Sequence, residues 1–147
     1  MTNAKIKRTK LSYIVHLPHI TDEASLCFGE AERHMPFPIK RVYYISRVLD
    51  NSVRGKHAHK QTLQMLFCIQ GSITILLDNG KEKETVELKE PNQGVFLDKM
   101  MWHEMSDFKK DTILLVFASD YYDEADYIRN YNDFINSVKD KKYGTHE

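Results

Sequence analysis

GKHAHKQTLQMLFCIQG, residues 55–71, combines a strand pattern with two chemically active side chains. In its second half, an apolar-rich run predicts a β-strand; in it, Leu63, Met65, Phe67 and Ile69 alternate with Gln64, Leu66, Cys68 and Gln70. In its first half, His57 and His59 are two residues apart, and residues at that spacing face the same side of a strand. The stretch therefore predicts strand structure with two imidazoles on one face.

Further short strands are predicted on both sides of this stretch. Segments rich in β-branched and aromatic residues form the candidates, namely Ile39–Ile45, Ile73–Leu77, Glu84–Leu88, Val95–Leu97 and Thr112–Ala118. Asp78-Asn79-Gly80, between two of them, is a strong hairpin signal. Several short strands separated by turns predict a barrel or a sandwich, so we expect an all-β fold.

The last segment has a different period. Between Asp123 and Asp140, apolar residues recur at helical spacing, and acidic residues occupy the first turn, where they suit the helix dipole. We therefore expect an amphipathic C-terminal helix packed on the strands. One domain, residues 1–138, followed by a frayed tail, residues 139–147, accounts for the chain.

The charge balance argues against several classes of function. The 147 residues include 21 Lys plus Arg and 21 Asp plus Glu, whereas nonspecific nucleic-acid binding and membrane adsorption need a basic excess. No segment approaches the roughly 20 apolar residues that span a bilayer, and the N-terminus lacks the apolar core of a signal peptide. Cys27 and Cys68 form no CxxC motif. We expect a soluble cytoplasmic protein with neither nucleic acid nor membrane as a partner.

The histidine spacing matches the two motifs of a cupin barrel. In the first motif, Gln64 follows His59 by five residues and Gly71 follows Gln64 by seven. In the second, a proline and a glycine precede a third histidine, His103. We therefore expect an all-β cupin barrel of the jelly-roll type, in which His103 joins His57 and His59 from a neighbouring strand.

Two chemistries suit such a histidine cluster. Three imidazoles and a carboxylate would bind iron, manganese or zinc, but the carboxylate position holds Gln64, a neutral amide. Three histidines alone still bind zinc. Alternatively, imidazoles with a pKa near 6.5 move protons at neutral pH without any metal. Histidines without a role are the third interpretation, and the spacing alone leaves all three open.

Four blocks of sequence extend the match beyond a general cupin. They read FPIKRVYYI (37–45), RGKHAHK (54–60), WHEM (102–105) and ASDYYDEADYIR (118–129). In this order they resemble the dTDP-4-keto-6-deoxyglucose 3,4-ketoisomerases, from Ser12 to Phe134. The resemblance implies a cytoplasmic homodimer that exchanges N-terminal strands and uses no metal or cofactor. Its substrate would be a dTDP-linked 4-keto-6-deoxy sugar, on the route to deoxyamino sugars of surface glycans such as lipopolysaccharide O-antigens.

The resemblance also implies roles for individual residues. It places the general base at His57, with His59 beside it and Tyr43 near them, and it assigns His103 to the reprotonation of the sugar. Arg41 lies on the same strand face as Tyr43 and is expected to bind the diphosphate, because a guanidinium grips phosphate oxygens bidentately. The other substrate-binding candidates are Arg54, Trp102 and Glu23, with a core position as the alternative for Trp102.

Two questions stay open at this level. The C4 configuration of the product, galacto or gluco, is the first, because His103 resembles the galacto-forming members whereas Glu23 stands where those carry arginine. The second is the function class. A metal-dependent cupin enzyme, such as a dioxygenase, and a non-catalytic sugar-binding cupin are the alternatives to the isomerase.

Overall fold

The computed structural model describes residues 5–143, and β-strands dominate this range. The strands are β1 (Lys5–Arg8), β2 (Tyr13–His16), β3 (His19–Thr21), β4 (Ser25–Cys27), β5 (Arg41–Ile45), β6 (Arg54–His59), β7 (Gln64–Gln70), β8 (Ile73–Asp78), β9 (Lys83–Leu88), β10 (Gln93–Leu97), β11 (Trp102–Ser106), β12 (Ile113–Ala118) and β13 (Tyr127–Ile128). A 3-10 turn covers Glu124–Asp126, and the helix α1 covers Tyr131–Tyr143.

Two antiparallel sheets form the barrel. The larger has the order β1-β2-β10-β7-β12-β5, the smaller has the order β13-β6-β11-β8-β9, and β3 and β4 form a separate hairpin. Sequence neighbours such as β10 and β11 lie in different sheets, which is the arrangement of a jelly roll. The prediction of an all-β, cupin-type barrel with a C-terminal helix is confirmed.

Apolar side chains from both sheets form a core inside the barrel. The inward positions of β7, β8, β10 and β12 alternate with outward ones, as the period of a strand requires. The fully buried members of this core include Ile75, Leu77, Leu97, Leu114 and Val116. This core lies beside the polar inward residues, since Leu77 pairs with His103 and Leu97 pairs with Gln64 on neighbouring strands.

Gly71, the glycine of the first cupin motif, is required by its surroundings. Its φ of +81° lies in the left-handed region, and a Cβ there would come within 2.2 Å of Thr112 Oγ1 and 2.9 Å of Thr112 Cα. Only glycine fits such a backbone without strain. Gly71 therefore makes the tight turn from β7 to β8.

The predicted C-terminal helix begins later than expected. Helix α1 begins at Tyr131, whereas residues 123–128 form the 3-10 turn and β13, so the predicted start at Asp123 is wrong. The physical reason is tertiary: Tyr127 and Ile128 pair with β6. Helix α1 continues to Tyr143, which makes the first residues of the predicted tail helical, and residues 144–147 lie outside the described range.

The N-terminal strands pair within the chain. Strands β1 and β2 form a hairpin, and β2 also pairs with β10 at the edge of the larger sheet. All four residues of β1 and all six of β3 and β4 are exposed. Within residues 5–143, no helix is both long and apolar enough to cross a membrane.

Candidate active site

A β-bulge shapes the strand that carries the two nearby histidines. Along β11, His103 pairs with His57 and the next residue pairs with Gly55, so Lys56 is the extra residue on β6. Gly55 and Lys56 both have positive φ, of 87° and 57°. A Cβ on Gly55 would come within 2.9 Å of the His103 carbonyl oxygen, so glycine permits the close approach of β6 and β11.

Three imidazoles converge at this point of the barrel. One ligating nitrogen from each of His57, His59 and His103 lies within 4.8 Å of the others. Nε2 of His57 and Nε2 of His59 are 3.2 Å apart, and the ring centroids of His57 and His103 are 4.5 Å apart. The structure therefore brings together the three histidines that the sequence analysis singled out.

Each imidazole is held at its Nδ1 by an oxygen that can only accept a hydrogen bond. His57 donates to Gly55 O at 3.0 Å, His59 to Asp126 Oδ2 at 2.9 Å, and His103 to Met101 O at 3.2 Å. Since Nδ1 carries the proton in each ring, the Nε2 atoms carry lone pairs in the neutral state. A proton taken up by one of the facing Nε2 atoms can thus be shared between His57 and His59.

Burial keeps these imidazoles neutral at pH 7. Desolvation lowers the pKa of His57 to about 4 and the pKa of His103 well below its usual value. Desolvation also lowers the pKa of His59, although the hydrogen bond and charge of Asp126 oppose this effect. All three side chains are consequently available as proton acceptors near neutral pH.

Asp126 is the carboxylate of this site. Its Oδ1 accepts a hydrogen bond from the Gln61 backbone N–H at 2.7 Å, and its Oδ2 accepts one from Thr62 Oγ1 at 2.5 Å as well as the one from His59. Burial raises the pKa of Asp126, but these hydrogen bonds outweigh it, and the pKa lies below its usual value. Asp126 is therefore ionised and holds His59 in place.

Tyr43 and Gln64 form a polar pair opposite the histidines. Gln64 Nε2 donates to the Tyr43 hydroxyl oxygen at 3.0 Å, which leaves the Tyr43 proton free to be donated elsewhere. Burial raises the pKa of Tyr43 to about 12, although the hydrogen bond from Gln64 opposes the shift. Tyr43 is therefore a protonated hydrogen-bond donor at every physiological pH.

These side chains line a cavity of about 390 Å³. The predicted site residues on its wall are Arg41, Tyr43, Arg54, His57 and His103, and His59 lies directly behind His57. The segment that follows β12 supplies Tyr122, Tyr127 and Arg129 to the rim. A cavity of this size accommodates a small organic ligand such as a hexose.

Arginines give the cavity a cationic side. Arg129 is paired with Glu124, with Nε and Oε1 at 2.7 Å, and its guanidinium lies 4.3 Å from the centre of the Tyr127 ring. Among the side chains of residues 5–140, neither Arg41 nor Arg54 has an ion-pair partner, and Arg41 Nε is buried without a hydrogen-bond partner. Both are therefore available to an anionic ligand.

Two predicted binding residues do not line the cavity. Trp102 is next to His103 on β11, so its side chain points to the opposite face, where it is 5% exposed and packs against Phe134. The position of Trp102 thus matches the alternative interpretation, in which it is a core residue and does not bind substrate. Glu23 lies in the exposed turn between β3 and β4 and does not line the cavity of its own chain.

The sequence analysis missed the contribution of residues 119–130. Asp126, Tyr127 and Arg129 are part of a block that carried the family resemblance, but the helical pattern assigned them to the first turns of a helix. Only the pairing of β13 with β6 brings them to the histidines. No spacing within the sequence indicates that pairing.

The three histidines could also hold a divalent cation. Their Nε2 lone pairs are close together, and acceptors at Nδ1 fix the tautomer that metal binding needs. The position of the additional carboxylate ligand is occupied by Gln64, whose neutral amide is a poor ligand. The donor set thus fits a three-histidine metal site, and it equally fits metal-free proton transfer.

Comparison with known proteins identifies the family. Residues 10–139 match the family described as FdtA, WxcM-like, C-terminal. The chain is 44% identical, over 115 residues, to a TDP-4-oxo-6-deoxy-α-D-glucose-3,4-oxoisomerase of Aneurinibacillus thermoaerophilus; the match covers 78% of this chain and 83% of the relative.

Solved structures agree with this match. A sugar 3,4-ketoisomerase of Thermoanaerobacterium thermosaccharolyticum in complex with TDP superimposes with a TM-score of 0.84 at 41% identity, covering 87% of this chain and 94% of the other. A TDP-quinovose 3,4-ketoisomerase of Campylobacter jejuni gives a TM-score of 0.82 at 44% identity, covering 87% and 99%. These names support the isomerase interpretation rather than the dioxygenase or the non-catalytic cupin, and the chain belongs to the FdtA family of WxcM-like C-terminal domains, together with these sugar 3,4-ketoisomerases.

Proposed function

We propose that this protein is a sugar 3,4-ketoisomerase that converts dTDP-4-keto-6-deoxyglucose to a dTDP-3-keto-6-deoxyhexose. The observation that carries the proposal is the convergence of three neutral imidazoles and a protonated tyrosine on one cavity bordered by two arginines without ion pairs. Isomerisation of a nucleotide-linked ketose needs a base, an oxyanion donor and an anion site. The relatives named above act on sugars of this class.

The reaction moves protons and leaves the oxidation level of the molecule unchanged. The hydrogen at C3 is acidic because it lies next to the C4 carbonyl. His57 Nε2 accepts this proton, and the electron pair of the C–H bond forms the C3–C4 double bond of an enediolate whose charge is on O4. O4 then gains a proton, C4 gains another, O3 loses its own, and the carbonyl at C3 forms. No electron donor or acceptor is required.

The neighbours of His57 stabilise the charges that develop. Tyr43 donates its free hydroxyl proton to the enediolate oxygen, as an oxyanion donor does. His59 shares the proton that His57 has taken, since the two Nε2 atoms are 3.2 Å apart, and the carboxylate of Asp126 stabilises the resulting positive charge. His103, buried beside His57, relays a proton to C4: its Nε2 accepts the proton that O3 loses and passes it to C4, because the proton on Nδ1 is held by Met101 O.

Two arginines at the cavity are suited to bind the diphosphate of the nucleotide. Arg41 and Arg54 border the cavity without ion pairs, and guanidinium groups bind phosphate oxygens bidentately. We assign the diphosphate of the substrate to these two residues. The mechanism uses no metal and no cofactor, so prolonged treatment with EDTA should leave turnover unchanged.

A homodimer with exchanged N-terminal strands is part of the proposal; the exchange would replace the pairing of β2 with β10 within one chain by the same pairing between two chains. The edge of β1 is exposed, and unpaired strand edges favour pairing with a second chain. Apolar side chains are exposed on the hairpin β3–β4 and on the outer face of β5; they are Ile20, Leu26, Val42 and Tyr44. Glu23 lies at the tip of the hairpin β3–β4 and outside the cavity of its own chain. In such a dimer we therefore place it at the cavity of the partner, where it would bind substrate.

The same proposal assigns a cellular role. A 3-keto-6-deoxyhexose on a nucleotide is a substrate for amination at C3. We therefore place the enzyme in the cytoplasm, in the synthesis of deoxyamino sugars for surface glycans such as lipopolysaccharide O-antigens.

Incubation with dTDP-4-keto-6-deoxyglucose in deuterated water, followed by NMR, tests this function. We expect loss of the C3 proton, a new 3-keto sugar and deuterium at C4, and the coupling constants of the product give its C4 configuration. Unchanged substrate with its C3 proton retained would overturn the proposal. Turnover that EDTA abolishes and an added metal restores would overturn its metal-free mechanism.

A further inference from the structure

Two buried polar atoms at the cavity have no hydrogen-bond partner. They are Gln64 Oε1, an acceptor, and Arg41 Nε, a donor, and they are the unpartnered buried side-chain atoms found among residues 5–140, whose side chains the structure describes. Both residues line the same cavity. Buried polar groups are nearly always paired in folded proteins, so each of these atoms is expected to gain its partner from a ligand.

The neighbours of Gln64 explain why its oxygen stays free. The side chain is 1% exposed, and its partners on the flanking strands are Leu97 and Ala118, which have no polar side-chain atoms. Its other end is already occupied by the Tyr43 hydroxyl. If the two ends of the amide were exchanged, one end would still contact Tyr43 and the other would still be free.

Arg41 and Gln64 lie in one row across the larger sheet. Ala118 pairs with Arg41 on one side and with Gln64 on the other, so the two side chains share a face and their Cα atoms are about 10 Å apart, or two strand spacings. The small side chain of Ala118 between them leaves room for a ligand. A molecule that binds Arg41 with an anionic group therefore presents its adjacent part to Gln64.

The chemistry of the substrate identifies which group meets Gln64. In a 4-keto-6-deoxyhexose, C1 carries the diphosphate, C6 has no hydroxyl, and O3 and O4 take part in the reaction. The hydroxyl at C2 is the one that remains, and C2 is adjacent to the carbon that bears the diphosphate. A hydroxyl both donates and accepts, so it satisfies either end of an amide.

We propose that Gln64 is a specificity-determining residue that hydrogen-bonds the C2 hydroxyl of the sugar. The assignment rests on the proposed ketoisomerase function and extends it to the recognition of a hydroxyl that does not react. Gln64 thereby distinguishes 6-deoxy sugars that keep the C2 hydroxyl from 2,6-dideoxy sugars. The neutral amide achieves this without placing a negative charge beside the three imidazoles.

The test compares two substrates in two proteins. The substrates are dTDP-4-keto-6-deoxyglucose and its 2-deoxy analogue, and the proteins are the wild type and Gln64→Met. For the wild type, we expect loss of the hydroxyl to lower kcat/KM about 10-fold or more, chiefly through KM, because the C2 hydroxyl binds similarly in ground and transition states. In Gln64→Met, the two substrates should differ far less.

Controls separate recognition from folding and from the effect on Tyr43. Gln70→Met places the same substitution at the exposed end of β7 and should keep the wild-type preference. Gln64→Glu retains an acceptor and should keep discriminating between the two substrates. Equal TDP affinity in all variants would show that each is folded.

The outcomes distinguish a failure of the Gln64 assignment from a failure of the proposed isomerase function. If the wild type converts the parent sugar but Gln64→Met discriminates as strongly as the wild type, the assignment of Gln64 is overturned and the isomerase function stands. If the wild type converts neither sugar, the proposed function fails and the assignment fails with it.

Discussion

His57 is the side chain on which the proposed reaction depends most directly. We expect His57→Asn to lower turnover about 10²–10⁴-fold, the usual contribution of a general base, because asparagine has a similar size but accepts no proton near neutral pH. TDP affinity should remain close to that of the wild type, since we assign the diphosphate to Arg41 and Arg54. Steady-state kinetics and calorimetric titration with TDP measure the two effects.

His103→Asn is the matched comparison for that variant. It removes the proposed proton donor at C4 and leaves the base in place, so deuterium from solvent should still enter C3 of unreacted substrate. His57→Asn should show no such exchange. Isomerisation by His57→Asn at the rate of the wild type would contradict the assignment and transfer the role of base to His59.

The pH dependence follows from the burial of the same residue. His57 has its pKa lowered to about 4 by desolvation, so it remains a free base far below pH 6.5 and loses this capacity as it becomes protonated near pH 4. We expect kcat/KM to be flat from pH 8 to 6 and to fall at more acidic pH. An acidic limb centred near 6.5, the value for an exposed histidine, would contradict the buried environment.

The free energy of unfolding should also fall at acidic pH, so it has to be measured alongside the kinetics. Because the folded-state pKa of His57 lies below that of the unfolded chain, the unfolded state binds the proton first as pH falls below 6.5, and the fold loses stability between that pH and about 4. Circular dichroism at each pH separates loss of the fold from protonation of the base.

Local spacing predicted most of the side chains at the site. Arg41 and Tyr43 lie two apart on β5, His57 and His59 two apart on β6, and each pair shares a face because the strand period is 2. The same period explains the position of Trp102, which must point away from the cavity if its neighbour His103 points into it. Spacing within one strand cannot, however, indicate which distant strand will pair with it.

The segment that ends in β13 shows this limit. Its acidic residues suited a helix N-terminus in sequence, but pairing with β6 takes precedence, and the helix begins only at Tyr131. Local propensity gave the right type of element for the end of the chain. It predicted the wrong first residue of the helix, because the competing contact joins Asp126 to His59, which is 67 residues earlier in the chain.

Asp126→Asn tests what this segment contributes. Without the carboxylate, the pKa of His59 should fall further, because the hydrogen bond and charge of Asp126 raise it. We expect kcat to drop roughly tenfold or more, a part of what general-base catalysis contributes, with little change in KM, because His59 then shares the proton of His57 less readily. Asp123→Asn is the control, because Asp123 accepts a bond from the Ala125 backbone and does not contact His59.

The turn between β7 and β8 makes a separate prediction about stability. Gly71→Ala should lower the free energy of unfolding by about 1–3 kcal/mol, because the left-handed backbone and the contact with the Thr112 Cα both resist a Cβ. Gly80→Ala should cost less, since its Cβ would meet only the Val138 side chain at 3.1 Å. Urea unfolding of both variants measures the difference, and equal losses would contradict it.

At the scale of the whole molecule, we expect a homodimer in solution. Light scattering at micromolar concentration should give twice the 17.3 kDa of the chain. Ile20→Asp, on the exposed hairpin, should shift the protein towards the monomer, because an interface would bury that charge. Leu49→Asp, at an exposed loop position, is the control and should leave the mass unchanged. A monomeric wild type would contradict the proposed exchange.

The late position of Asp126 in the chain has a consequence for biosynthesis. Translation proceeds from the N-terminus, and domains fold as their segments emerge. The strands that carry His57 and His103 are synthesised before Asp126, and so is β12, which completes the larger sheet. A nascent or prematurely terminated chain can therefore contain all three imidazoles yet lack the anion that supports their charge. We therefore expect full activity only after the segment that contains Asp126 has been synthesised.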